Sequence, residues 1–404
     1  MTWEICELGE VATVGPRDPA LPENSPFIPM SSVDVGMRYP SSYEERGTRG
    51  GIRARANDIL FARITPCLEN GKLAQIPEGS APTGGSTEFL VIRPGPKVDP
   101  GYLYYWCSSP GVRARAEKEM TGTTGRMRFS GKDLKRFPIF IPSLDKQRRI
   151  VDILEEKISH LNAADAALEQ SQKRLELMSI SALTGALRGL GNTELKPIGT
   201  VAYTQLGKML DSKRQSGAAT KYLRNINVRW GSFNLDDLQK TPMTDSDRTR
   251  FDIDDGDVFA CEGGEPGRCA VWRGPANDIS FQKAVHRLRV KDPESLHPEF
   301  LALTLTEAVR SGRVDNLFTG TTIKHLPQQK LRAIEIPVPD IEEQNRIVEE
   351  FSEISASESR MKTIISQTQQ RSAALRRSLL DAAFSGRLTE RSRQGSPTEA
   401  VVGV

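Results

Sequence analysis

The stretch Ile141–Glu156, IPSLDKQRRIVDILEE, returns 197 residues later as Val338–Phe351, VPDIEEQNRIVEEF. At that offset Pro142 pairs with Pro339, Gln147 with Gln344, Arg149 with Arg346, Ile150 with Ile347 and Val151 with Val348. Other matches keep the same order along the chain. TGTT at 121–124 recurs at 319–322, Leu134 matches Leu331, NDILFAR from Asn57 resembles GDVFACE from Gly256, and LGEVA from Leu8 resembles IGTVA from Ile198. A period near 200 is far longer than the 20 to 50 residues or so of a solenoid repeat. The chain therefore reads as a tandem duplication of one whole unit, a globule followed by a helix.

The repeated phrase has the chemistry of a helix start. It follows an apolar strand carrying prolines, FPIFIP in one copy and IEIPVP in the other. Proline cannot donate to a ladder, so these are edge strands. Ser143 and Asp340 then stand where a side-chain oxygen can take the free N–H groups of the first turn. Downstream, Thr184-Gly185 and Ser385-Gly386 offer glycine for a left-handed helix stop. Between these limits the apolar spacing is heptad-like. The first helix presents Leu154, Leu161, Leu168 and Leu175 beside Val151, Ile158, Asp165 and Gln172. The second presents Ile347, Ile354, Met361, Thr368 and Leu375 beside Phe351, Glu358, Ile365, Ser372 and Leu379. Each helix of about forty residues would run roughly 60 Å. A stripe so narrow is satisfied most simply when the two helices pair as a coiled coil, antiparallel if the repeats are related by a pseudo-twofold axis.

The expected layout is α+β. A β-rich globule with short helices occupies 1–142, a spacer helix 143–190, a second globule 191–339, a second spacer helix 340–388, and a polar, disordered tail 389–404. The chain has 404 residues, 37% hydrophobic and 26% charged, with a net charge of +3. That composition is globular, and no stretch approaches eighteen apolar residues, so no membrane span is expected. The N-terminus MTWEICELGE has no secretory pattern. Five scattered cysteines with no C-x-x-C, and four scattered histidines, predict neither a disulfide framework nor a metal site. A reducing cytoplasm fits.

The residues carry a resemblance. The proline–acid–Gln–Arg–Ile–Val phrase occurs twice, each copy follows a GTT segment, and the copies close in LTGALRG and FSGRLTE. The chain thereby resembles, over almost its whole length, the specificity subunit of type I restriction–modification systems. The resemblance implies that each globule is a target recognition domain reading one half of a split double-stranded DNA sequence. It implies that the helices set the unread spacer and dock two methyltransferase subunits, and that motor-nuclease subunits join these. No catalytic residue is then expected in this chain, and S-adenosylmethionine, ATP and Mg belong on the partners. Asp145-Lys146, where an acid pair is usual, and Asn345 depart slightly from the pattern.

The expected absence of catalysis agrees with the motifs. There is no Asn-Pro-Pro loop for gripping a flipped base, and GRMRFSGKD from Gly125 has the wrong spacing for a phosphate loop. A stand-alone methyltransferase or nuclease, and a protein-binding scaffold, are the competing readings. Candidate DNA-binding residues are those able to reach base edges or phosphates. In the first globule they are Arg63, Asn70 and Lys72, then Thr123, Thr124, Arg126 and Arg128. In the second they are Lys213, Arg214 and Gln215, Asn225 and Arg229, then Thr321, Thr322 and Lys324. A basic cluster at Arg46, Arg49, Arg53 and Arg55 is another possible phosphate face. The shared TGTT also reads as a structural turn, since one motif cannot distinguish two half-sites. Arg93 and Trp272 are expected to be structural.

Overall fold

The computed structural model describes residues 4–45, 51–123, 125–210, 216–275 and 278–390. The chain divides into two compact units, Met1–Leu168 with Ser366–Val404, and Glu169–Ile365.

In the first unit β1 (Glu4–Glu7) pairs antiparallel with β12 (Pro138–Ile141), so the proline-bearing strand lies in a sheet of only two strands. The central antiparallel sheet has the order β2 (Ala12–Val14), β9 (Phe89–Pro94), β6 (Ile59–Ala62), β7 (Leu73–Gln75). Every residue of β6 is buried, which is why ILFA shows no alternation. A second sheet runs β4 (Glu44–Glu45), β3 (Pro26–Ile28), β8 (Thr83–Gly85), β5 (Ile52–Ala54), with β3 and β8 parallel. A hairpin of β10 (Thr121–Thr123) and β11 (Arg126–Arg128) completes the strands.

The second unit repeats this plan. Here β13 (Leu195–Pro197) pairs with β23 (Glu335–Pro337). The central sheet is β14 (Ala202–Leu206), β22 (Val285–Val290), β19 (Val258–Cys261), β20 (Cys269–Val271), again with a fully buried inner strand β19. A smaller sheet is β18 (Gln239–Met243), β15 (Ala218–Leu223), β21 (Ile279–Phe281), with β15 and β21 parallel. A short hairpin pairs β16 (Val228–Arg229) with β17 (Ser232–Phe233).

A similar Arg–Asp cluster, built on one buried aspartate, braces each central sheet. Arg93 on β9 forks onto Asp58 at 2.7 Å and Asp18 at 2.6 Å. Arg289 on β22 binds Asp257 at 2.7 Å, Asp254 at 2.7 Å and Asp252 at 3.0 Å. Asp58 and Asp257 are both 1% exposed. Each also accepts the backbone N–H three residues upstream, from Arg55 and Asp254, at 2.8 Å.

The repeated glutamine joins helix to globule. Gln147, fully buried, accepts from the Asp99 N–H at 2.8 Å and donates to the carbonyls of Lys97 (3.0 Å) and Pro142 (2.8 Å). Gln344, also fully buried, accepts from the His297 N–H at 2.8 Å and donates to Ser295 (2.9 Å) and Pro339 (2.8 Å). Asp99 and His297 each precede a helix that opens with proline, Pro100–Ser108 and Pro298–Arg310. A side chain with one acceptor and two donors thus ties three backbone groups at the same place in both repeats.

The long helices run Leu144–Arg188 and Ile341–Phe384. Asp340 Oδ1 caps the Glu343 N–H at 2.9 Å, and Gly386 takes φ +81° after the second helix. Gly185 does not end the first helix. It lies inside, and the left-handed glycine is Gly191 at φ +59°. Packing overrides propensity there, because Leu183, Ala186 and Leu187 lie in the second unit's core. Arg387–Glu390 form a helical turn, and 391–404 lie outside the described residues.

Within each unit the helix segments run antiparallel. In the first, Ser372 Oγ donates to Asp165 Oδ2 at 3.0 Å, and Arg376 Nη2 to Asn162 Oδ1 at 2.7 Å. In the second, Lys362 Nζ meets Glu176 at 3.2 Å and Glu358 at 2.7 Å. The polar seam positions Asp165, Ser372 and Glu358 are therefore paired across or along the helices. Val151, Leu154, Ile158, Ile347, Phe351 and Ile365 are buried, while Leu161, Leu168, Leu175, Ile354 and Leu379 are half-buried. Met361 and Leu375 do not belong to the seam, being 46% and 51% exposed. Half-buried Lys362 and Arg376 stand in their places. A helix of 3.6 residues per turn drifts about 20° per heptad, so a straight stripe steps one position along a strict seven-residue count.

Candidate nucleic-acid interface

In the first unit the β10–β11 hairpin docks on the segment that follows β6. The Phe129 N–H donates to the Arg63 carbonyl at 2.7 Å, the Thr65 N–H to the Met127 carbonyl at 3.1 Å, and the Met127 N–H to Thr65 Oγ1 at 3.1 Å. Strand alternation turns Met127 toward the core and leaves Arg126 and Arg128 exposed. Arg128 grips Glu88 through Nε at 3.0 Å and Nη2 at 2.6 Å. The Glu88 carboxyl is held below the ordinary glutamate range, chiefly by the Arg128 hydrogen bond, with Arg63 and Arg126 adding to it. The fold thus gathers Arg63, Arg126 and Arg128 around one carboxylate.

The remaining candidates of this unit separate from that patch. Lys72 donates to the Met30 carbonyl at 2.8 Å and lines an open cavity of about 1010 Å³ shared with Arg38, Tyr104 and Arg376. Asn70 is exposed in a turn closed by its N–H to the Pro66 carbonyl at 2.8 Å. Thr123 is exposed on β10. Thr124 lies outside the described residues, as do Arg46 and Arg49. Arg53 and Arg55 are not a free phosphate face, because both bind Asp18.

In the second unit a turn replaces the hairpin. Thr319 and His325 exchange backbone bonds at 2.9 and 2.8 Å, and His325 also bridges Gly263. Asn225 donates from Nδ2 to the Gly263 carbonyl at 3.4 Å, and its own carbonyl accepts from Arg268 Nη2 at 2.7 Å. Arg229 is exposed at the end of β16 and contributes to the field at Cys261, as Arg268 does. Thr321, Thr322 and Lys324 are exposed on the turn, with Lys324 Nζ over the Phe318 ring at 5.9 Å. Lys213, Arg214 and Gln215 lie outside the described residues.

The glycine of TGTT has a backbone role in both copies. Gly122 has φ +137°, and a Cβ would lie 2.6 Å from the Arg126 carbonyl; Gly320 has φ +92°, and a Cβ would lie 2.2 Å from the Ile323 carbonyl. This favours the structural-turn reading of the motif, with chain-specific residues beside it free to differ. Sequence reasoning missed Glu88, Arg268 and His325. Glu88 lies in GSTEF, next to the strand, and nothing local marks it as the partner of an arginine forty residues away.

Among the described residues no group of three His, Cys, Asp or Glu could hold a metal ion, and no helix is long and apolar enough to cross a membrane. What the patches offer is hydrogen bonding and positive charge on exposed strand and turn ends, the equipment for contacting phosphates and base edges. Replacing Arg126 and Arg128 together by alanine should weaken binding to a duplex. It should also reduce the slope of log affinity against log salt by at least about 0.9, one phosphate contact. Anisotropy titrations from low to high salt check this, and an unchanged slope and affinity would remove the patch from the interface.

One sheet unit occurs twice, each copy with its own exposed polar loops and its own antiparallel pair of helix segments, which defines a class of two-module proteins. The chain belongs to the type I restriction modification DNA specificity domain family, whose model matches residues 1–171 and 250–369. It is 28% identical over 159 residues to the type I restriction enzyme EcoEI specificity subunit of Escherichia coli, covering 37% of this chain and 26% of that one. To the EcoAI specificity subunit of Escherichia coli it is 29% identical over 204 residues, 48% of this chain and 34% of that one. To the EcoKI specificity subunit of Escherichia coli K12 it is 22% identical over 325 residues, covering 76% and 69%. The chain thus spans about a quarter to a third of the EcoEI and EcoAI subunits. Among solved structures, a chain from work on complex assembly and conformational transition of the type I R-M system aligns with TM-score 0.75, at 20% identity over 95% of this chain and 98% of that one. The HsdS subunit from Thermoanaerobacter tengcongensis aligns with TM-score 0.52, at 21% identity over 95% and 97%. At these identities the likeness is one of fold.

Proposed function

We propose that this chain is the non-catalytic, sequence-reading subunit of a type I restriction–modification complex. Each sheet unit contacts one half of a bipartite double-stranded target, and the long helices set the unread spacer. The observation that carries this reading is one scaffold used twice with different surface chemistry. The sheets, the Arg–Asp clusters and the glutamine ties repeat, while an arginine hairpin in one unit is replaced in the other by a turn whose His325 bridges Gly263, the residue to which Asn225 also donates. Two methyltransferase subunits dock on the chain and motor-nuclease subunits join them. Those partners carry S-adenosylmethionine, ATP and Mg, and the assembly works in the cytoplasm, where its DNA lies. The named specificity subunits among the relatives support the reading.

The test is selection of a randomised duplex library by the full chain, followed by mapping of methylated adenines after co-expression with its methyltransferase. A split motif, methylated only when the partner is present, is expected. Enrichment of no sequence would point to a protein scaffold and defeat the proposal. Methyl transfer by the chain alone would defeat its non-catalytic part.

A further inference from the structure

We propose that Arg128 is a guanine-reading side chain of the first unit and that Glu88 is its positioning residue. This rests on the reading of the chain as a DNA-recognition subunit and names the base contact within it. A guanidinium has two edges that present paired donors, Nε with Nη2 and Nη1 with Nη2. Glu88 occupies the first, with Oε2 on Nε at 3.0 Å and Oε1 on Nη2 at 2.6 Å. The second edge has no partner among the described residues, and the Arg128 side chain is 47% exposed. Two parallel N–H groups on that edge match O6 and N7 of guanine in the major groove, the one base-edge pattern that an end-on arginine fork satisfies twice.

Glu88 is built to hold this geometry. It immediately precedes β9, a core strand, and its carbonyl accepts the Arg63 N–H at 2.9 Å. Its side chain is only 24% exposed. A carboxylate on the inner edge of Arg128 restricts the long side chain's rotamers before DNA arrives, so less freedom is lost on binding. It also repels phosphate, which would otherwise attract any free arginine. Arg126, on the same face of β11, has no hydrogen-bonded carboxylate among the described residues and suits a phosphate contact. The two arginines are thereby given different tasks by a single acid. The arrangement is not duplicated: the residue preceding the equivalent strand β22 is Ala284. Such a difference belongs where two half-sites differ.

The experiment is randomised-duplex selection and sequencing with the full chain and with Arg128→Lys, Glu88→Gln and Arg126→Ala. The parent should enrich a split motif with a G·C pair in one half. Arg128→Lys and Glu88→Gln should each erode preference at that same base pair by about 5- to 150-fold, the range of one lost bidentate contact. The other half of the motif and the melting temperature should stay as in the parent, because both side chains are outside the core. Arg126→Ala should weaken all sequences alike and leave the motif unchanged. Full retention of the preference in Glu88→Gln or Arg128→Lys would overturn the assignment, as would erosion of both halves together. A parent that enriches no sequence would strike down the function itself, a result distinct from either.

Discussion

Replacing Gln147 with leucine should destabilise the first unit by about 3–5 kcal/mol, and Gln344→Leu should do the same to the second. Leucine fills much the same volume, so no large cavity is made. What is lost is the satisfaction of three backbone groups in each copy: the Asp99 N–H with the Lys97 and Pro142 carbonyls, or the His297 N–H with the Ser295 and Pro339 carbonyls. Each buried polar group left without a partner costs about 1–3 kcal/mol, and no water can replace the amide because both glutamines are 0% exposed. Glutamate is no remedy, since it would keep the acceptor but face two carbonyls with a carboxylate. Urea unfolding followed by hydrogen exchange, resolved by peptide, assigns the loss to one unit. Variants within about 1 kcal/mol of the parent would show that the tie is dispensable. The functional consequence would follow from the same contact, because these bonds seat each long helix on its own globule.

Arg93→Met should cost the first unit about 3–5 kcal/mol, the penalty for removing one partner from a buried ion pair. Asp58 and Asp18, with side chains 1% and 5% exposed, would lose the guanidinium between them. The pH dependence separates this from simple loss of packing. Asp18 is held below the ordinary aspartate range, chiefly by its hydrogen bond from Arg93. Its folded pKa is depressed. The stabilisation is therefore complete above the unfolded value of about 3.9 and is lost as pH falls from there through the folded pKa. The parent's acid limb should be steep in that window, and Arg93→Met should flatten it while lowering stability at neutral pH. A variant whose stability changes by the same amount at every pH would show that the cost is packing alone.

Several features were legible in the sequence, and each has a local cause. The duplication follows from residue identities at a constant offset. The helix starts follow from a proline-stopped strand and a capping residue, and Asp340 caps as its chemistry requires. Other features needed the third dimension. Gly185 has the composition of a helix stop, yet the helix continues, and its next turn packs Ala186 and Leu187, partly buried, against a core drawn from distant residues. Met361 and Leu375 satisfy a seven-residue count and still face solvent, because helical drift accumulates over forty residues. Only the fold shows that the Lys72 ammonium donates to the Met30 carbonyl, forty-two residues away.

By itself the sequence determined the repeat, the α+β class, the two long helices and the family, because these depend on residue order, periodicity and short-range capping. Tertiary structure alone decided that Gln147 and Gln344 are the same three-bond tie. It alone decided that Arg63, Arg126 and Arg128 gather around Glu88, and that the second unit answers with a His325 turn instead of a hairpin. The physical reason is that hydrogen bonds and ion pairs act over about 3 Å, whereas Gln147 and Asp99, Arg128 and Glu88, and Asn225 and Gly263 lie 48, 40 and 38 residues apart along the chain, a separation that only folding closes.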